Sequence, residues 1–230
     1  MGQHGKYRAL VSLLAVLGAE PAAAACRLAL ALGFDVSRSV SVEDYAIQRE
    51  GLLAALAAPE IRSAFLRPRD PVALAVYEWS GAGHQEIVVD WVLVRDQATL
   101  DALAALVAGH ARGEMRQSTA IGGALQFGRD LLARMPDCEA WTLDLSGDGR
   151  NNEGADPARV YAREDFGDVT VNGLAIGGHE RDIALYFGAE VIRGPGAFVE
   201  VAALHEDFPR AIRRKLEREL TERLFGAVQP

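Results

Sequence analysis

The sequence predicts an α/β fold: a doubly wound, mostly parallel central sheet with helices on both faces and one antiparallel edge strand. Three observations carry this expectation. Apolar runs of strand length alternate with amphipathic, helix-like segments from Leu28 to the last helix candidate, an order that buries a mostly parallel sheet between helices. The first run, Leu28 to Phe34, contains no polar side chain, as expected of a strand covered on both faces. The link Ser80-Gly81-Ala82-Gly83-His84 between two strand candidates is short enough for a hairpin, which makes the second of them antiparallel.

In chain order, the strand Leu28 to Phe34 is followed by a helix over Val42 to Ala58, with Ser41 as N-cap and Tyr45, Leu52, Leu53 and Leu56 on one side. Strands are expected at Pro71 to Trp79 and Glu86 to Leu93, then helices at Leu100 to Val107 and Ala120 to Met135. Trp141 to Leu145 is the fourth strand. Asp156-Pro157 marks the start of a short helix to about Glu164, since Pro suits the first helical position. A strand at Val169 to Ile176, a helix at Asp182 to Phe187, a strand at Ala197 to Val201 and a helix at Phe208 to Leu224 complete the pattern. With no internal repeat, low-complexity tract or linker, residues 26–230 read as a single domain.

The first 25 residues read differently. Lys6 and Arg8 precede the apolar run Ala9 to Leu17, then Gly18-Ala19-Glu20-Pro21 and an alanine stretch to Ala25, the order of a secretory signal with cleavage after Ala25. The run is shorter than the roughly 20 residues a membrane span requires. An exported protein, periplasmic or secreted, is therefore expected. Export permits disulfides, which bears on Cys26 and Cys138. Cys26 would open the mature chain, where a lipid can also attach, but Ala23-Ala24-Ala25-Cys26 lacks the large aliphatic residue usual three places before a lipidated Cys.

Of the 230 residues, 50% are hydrophobic and 24% charged, enough for a sizeable core and unlike a disordered, collagen-like or disulfide-scaffold chain. The net charge is -8, the pI about 5.2, and no basic block stands out, so nucleic acid is not an expected partner.

In an open α/β sheet, ligands gather at the carboxyl ends of the strands. Three strand-end loops there carry oxygen donors: Asp35-Val36-Ser37-Arg38-Ser39, Gln117-Ser118-Thr119, and Ser146-Gly147-Asp148-Gly149-Arg150-Asn151-Asn152. Taken singly, Ser and Thr before a helix are caps and Asp-Gly is a turn. Together they form a D-x-S-x-S, Thr, Asp-Gly series, and the chain resembles the von Willebrand factor type A (VWA) domain with its metal-ion-dependent adhesion site. The resemblance covers residues 27 to 225. It is nearest to exported bacterial members, through Cys26-Arg27-Leu28-Ala29-Leu30, Leu145-Ser146-Gly147-Asp148-Gly149, Val171-Asn172-Gly173-Leu174 and Gly194-Pro195-Gly196-Ala197-Phe198.

The resemblance implies that Ser37, Ser39 and Thr119 bind a divalent cation directly, with Asp35 and Asp148 acting mainly through bound water. Mg²⁺ is the expected ion, with Mn²⁺ or Ca²⁺ as alternatives, and a partner protein's Asp or Glu would fill the open position. Oxygen donors suit such hard ions. Gly147 stands where many relatives have Thr or Ser. In the resembled fold the strands after Cys26 and Cys138 are parallel neighbours, which implies a Cys26–Cys138 disulfide.

The second function class is a metal-dependent phosphohydrolase of haloacid dehalogenase type, whose nucleophile loop resembles Phe34-Asp35-Val36-Ser37. That chemistry places a second Asp where Ser37 stands, and needs a well-placed Lys, whereas the chain has only Lys6 and Lys215. A binding module without enzymatic activity is the expectation. Asp144, inside a strand, reads either as an orienting group for the metal site or as a carboxylate satisfied by nearby backbone. Asn151 and Asn152 read as local loop-shaping residues. His84, His110, His179 and His205 are scattered without zinc-site spacing, and the charges of the last helix, Lys215 and Glu219 included, read as a solvated face.

Overall fold

The computed structural model describes residues 26–112 and 118–226, and of 222–226 the backbone only. The expected signal at residues 1–25 and Gln117 lie outside the described residues. Strand β1 (Leu28–Asp35) leads to helices α1 (Val42–Ala57) and α2 (Pro59–Leu66), then to β2 (Val72–Trp79), β3 (Gln85–Val94) and α3 (Gln97–Gly109). Helix α4 (Ile121–Leu132), β4 (Trp141–Gly147), α5 (Pro157–Arg163), β5 (Thr170–Ile176), α6 (Ile183–Tyr186), β6 (Val199–Ala202) and α7 (Phe208–Gly226) follow. The sheet order is β3-β2-β1-β4-β5-β6, all parallel except β3, which pairs antiparallel with β2 through the expected hairpin.

The alternation within β1 explains the two layers. Leu28, Leu30, Leu32 and Phe34 point into a core shared with α1, α2, α3 and α7, while Ala29 and Ala31 face α4 and α5. Small residues on the second face let α4 lie close. A methyl group on Gly128 would come within 2.4 Å of Leu143, and one on Gly33 within 2.5 Å of the Tyr77 ring.

Three expectations need correction. The helix predicted to Ala58 stops at Ala57, and α2 begins at once. Pro59 disfavours helical geometry at Ala58, which is extended at φ -66, ψ 133, and then serves as the first residue of the next helix. The helix predicted at Asp182 to Phe187 continues as a π-helical turn over Phe187–Val191. The solvated reading of α7 holds for Arg210, Arg213 and Arg214, which pair with Asp207, Glu60 and Glu200. It fails for Lys215 and Glu219, both buried, with Lys215 Nζ 3.1 Å from Asp144 and 2.9 Å from Glu219. Asp144 thus has a charged partner on α7, which replaces both readings of it made from sequence. Burial holds its carboxyl above the ordinary range, with the ammonium of Lys215 pulling the other way.

Cys26 and Cys138 are disulfide-bonded, with their Cα atoms 4.6 Å apart. The β1–β4 register accounts for this: Ala29 pairs with Trp141, and three residues earlier on each strand the two cysteines face each other.

Candidate metal centre

Between β1 and β4 the strand order switches direction, and Phe34 lies beside Ser146 at the carboxyl end of that pair. The loops that follow therefore leave the sheet side by side. Ser39 Oγ donates to Asp148 Oδ1 at 2.6 Å, Ser37 Oγ lies 3.2 Å from Ser39 Oγ, and Thr119 Oγ1 donates to Ser37 Oγ at 3.2 Å. Asp35 Oδ1 accepts from the Ser37 amide at 2.7 Å. All five residues named from the sequence thus meet in one place.

Both carboxylates are wholly buried, and neither Asp35 Oδ2 nor Asp148 Oδ2 meets a well-placed hydrogen-bond donor among the described residues. Burial pushes the Asp35 carboxyl up to about 7, and the neighbouring Asp148 charge adds to the effect. Two buried carboxylate oxygens without a well-placed protein donor carry a desolvation cost that a cation would remove. Three hydroxyls beside them complete a donor set of oxygens alone, which fits a hard dication. Among the described residues no group of three His, Cys, Asp or Glu side chains is placed to hold a metal, so hydroxyls are integral to this set.

Gly147 gives the departure in the third loop a physical reason, because a side chain there would begin 3.1 Å from Asp35 Oδ2. The two asparagines shape the site, though not locally as expected. Asn152 Oδ1 accepts from the Thr119 amide at 2.8 Å and Asn151 Oδ1 from the Gly122 amide at 3.2 Å, tying the third loop to the start of α4. Sequence reasoning missed His205, whose Nε2 is 3.9 Å from Asp148 Oδ2 and whose Nδ1 is 3.4 Å from Asp44 Oδ1. Its position just past β6, at the same end of the sheet, was the available signal. Over the hydroxyls opens a cleft of about 240 Å³ whose lining includes Arg38, Ser118, Asn152, His179 and Glu180.

A family model described as "Protein of unknown function (DUF1194)" matches residues 25–224. The chain belongs to the DUF1194 family. No curated protein matches the DUF1194 sequence. Its fold is that of VWA domains. A von Willebrand factor type A structure from Catenulispora acidiphila aligns with a TM-score of 0.57 at 16% identity, over 86% of this chain and 43% of that one. Proximal thread matrix protein 1 from the mussel byssus, in a structure with a zinc-occupied MIDAS motif, aligns with a TM-score of 0.57 at 14% identity, over 85% and 46%. The PilB minor pilin of Streptococcus sanguinis gives a TM-score of 0.61 at 13% identity, over 92% and 65%. The DUF1194 chain spans less than half the length of the first two.

Proposed function

We propose that this DUF1194 protein is an exported, non-enzymatic binding module that engages an acidic group on a partner protein through a divalent cation. The observation that supports it is the convergence of Asp35, Ser37, Ser39, Thr119 and Asp148, with two buried carboxylate oxygens that lack a well-placed donor among the described residues. In this reading Ser37, Ser39 and Thr119 hold the ion directly, and Asp35 and Asp148 hold its water. The ion, when bound, supplies a Lewis-acidic position for a carboxylate oxygen of the partner. Because its direct ligands would be neutral hydroxyls and water, the ion would stay electrophilic, so an Asp or Glu side chain is favoured there. Mg²⁺ suits the set best, because it keeps several waters and takes few protein carboxylates, with Mn²⁺ or Ca²⁺ as substitutes. The zinc in the mussel protein's MIDAS motif supports a dication at this place in the fold. The basic flank, apolar run and alanine stretch of residues 1–25 and the Cys26–Cys138 disulfide support export.

The haloacid dehalogenase alternative gains no support. Lys215, with Lys6 one of the chain's two lysines, is engaged by Asp144 and Glu219. The test is calorimetry of Mg²⁺ and Mn²⁺ with the wild type and Asp148→Ala, followed by partner capture from the exported fraction with Mg²⁺ or with chelator. Binding that Asp148→Ala abolishes, and a partner that chelator releases, are expected. No divalent-ion binding by the wild type at millimolar concentration, with an acidic peptide present, would sink the proposal.

A further inference from the structure

The loop that carries Ser37 and Ser39 runs from Val36 to Ser41 and belongs to neither a strand nor a helix. Ser37 O accepts from the Val40 amide at 3.1 Å and Ser41 O from the Tyr45 amide at 3.0 Å, which leaves the Val36 and Val40 carbonyls without a backbone donor among the described residues. Backbone acceptors of that kind need partners wherever water is excluded. Arg112 supplies them from the far side of the molecule's sequence. Its Nη1 donates to Ser41 O at 2.8 Å, and its Nη2 to Val40 O at 2.6 Å, with Val36 O at 3.2 Å and Ser37 O at 3.4 Å sharing what remains. The guanidinium is itself held, lying 5.1 Å from the centroid of the Tyr45 ring. Tyr45 in turn donates to Glu78 Oε1 at 2.6 Å, and Glu78 Oε2 is 3.3 Å from His110 Nε2.

The planarity of the peptide converts this clamp into a statement about the site. In a trans peptide the C=O and the following N–H point in opposite directions. Drawing Val36 C=O toward Arg112 therefore turns the Ser37 N–H away from it, onto Asp35 Oδ1 at 2.7 Å. Drawing Val40 C=O the same way turns the Ser41 N–H onto Asp44 Oδ2 at 3.1 Å, and Asp44 Oδ1 faces His205, which faces Asp148. One side of the loop is fastened to a guanidinium and the other is left to the oxygen site.

We propose that Arg112 is a positioning residue for that site: it fixes the Val36–Ser41 loop in the conformation that sets Ser37 and Ser39 against Asp35 and Asp148. The inference rests on the metal reading of the site. A lysine would not replace the arginine fully, because a single ammonium lacks the planar fork that spans Val40 and Ser41 at once.

The sign of the effect separates positioning from charge. A cation beside a dication site opposes it, so if Arg112 acted by charge alone its removal would tighten ion binding. Positioning predicts the reverse. Arg112→Gln and Arg112→Lys are compared with the wild type in Mn²⁺ affinity by calorimetry, and in hydrogen exchange of the Ser37 and Val40 amides without metal. We expect Arg112→Gln to weaken Mn²⁺ at least tenfold and to speed exchange at those amides, with β1 and α7 as protected as before. Arg112→Lys, which keeps the charge, lies between, and it decides the matter if the Gln variant does not fold. Unchanged or tighter Mn²⁺ binding, or a loss of affinity with no change in loop exchange, overturns the inference while leaving the metal reading intact. A wild type that binds no Mn²⁺ overturns both.

Discussion

Asp35 illustrates what a single side chain contributes before any cation is added. An unfolded chain releases its proton near pH 4, whereas burial beside Asp148 holds the folded group to about 7. Between those values the native state binds more protons than the unfolded one, so stability falls as pH rises through the window. A shift of that size corresponds to at most about 4 kcal/mol. The metal-free protein should therefore melt higher at pH 5 than at pH 8, and Asp35→Asn should flatten the slope. Added Mg²⁺ should raise the melting temperature more at pH 8, because the ion binds the native state only and must displace that proton. Thermal scans at the two pH values check both, and a wild-type slope of the opposite sign would refute the account. His205 and Arg112 show why part of the site was illegible in the sequence. The residues they serve are 57 and about 70 positions away, as Asp148 and the Val36–Ser41 loop, and no local pattern marks such a pairing. The five oxygen residues were legible because each lies just past a strand or before a helix, where the motif fixes its context.

At the scale of elements, helix α7 docks its apolar stripe, Phe208, Ala211, Ile212, Leu216 and Leu220, on the face shared with α1 and α2. Within that stripe it also buries Lys215 against Asp144 of β4, and Glu219 against Asn172 of β5 at 2.7 Å. Strand β1 was readable because burial on both faces leaves an uninterrupted apolar run. The buried lysine was not, since one charge among many on a mixed helix has no periodic signature. Removing one member of a buried ion pair costs about 3–5 kcal/mol, because the partner is left uncompensated, while apolar replacement of all members is often near neutral. Lys215→Met should therefore destabilise the domain by about that amount in urea denaturation. Changing Asp144 and Glu219 to Leu in the same chain should recover most of the loss. A single variant within about 1 kcal/mol of wild type would show that Lys215 is not the counter-ion of these carboxylates.

Across the whole molecule, the two ends of the β1–β4 strand pair are fastened by different chemistry. At the carboxyl end, loops converge on oxygen donors; at the amino end, the Cys26–Cys138 bridge joins residues 112 apart in sequence. Its pairing followed from sequence only through the resemblance, because strand adjacency is a property of topology and the chain between the cysteines includes β2, β3 and four helices. Closing so long a loop removes much freedom from the unfolded chain, worth up to about 4–5 kcal/mol before strain and residual structure reduce it. For a domain of this size that corresponds to a fall of about 10–15 °C in melting temperature on reduction. The Cys26→Ser, Cys138→Ser double variant should show the same fall and no further response to reductant. Because the bridge and the oxygen site stand at opposite ends of the strands, the folded double variant should bind Mg²⁺ as the wild type does. Two titratable thiols in protein recovered from the exported compartment would remove the bridge, and with it the stability argument built on it.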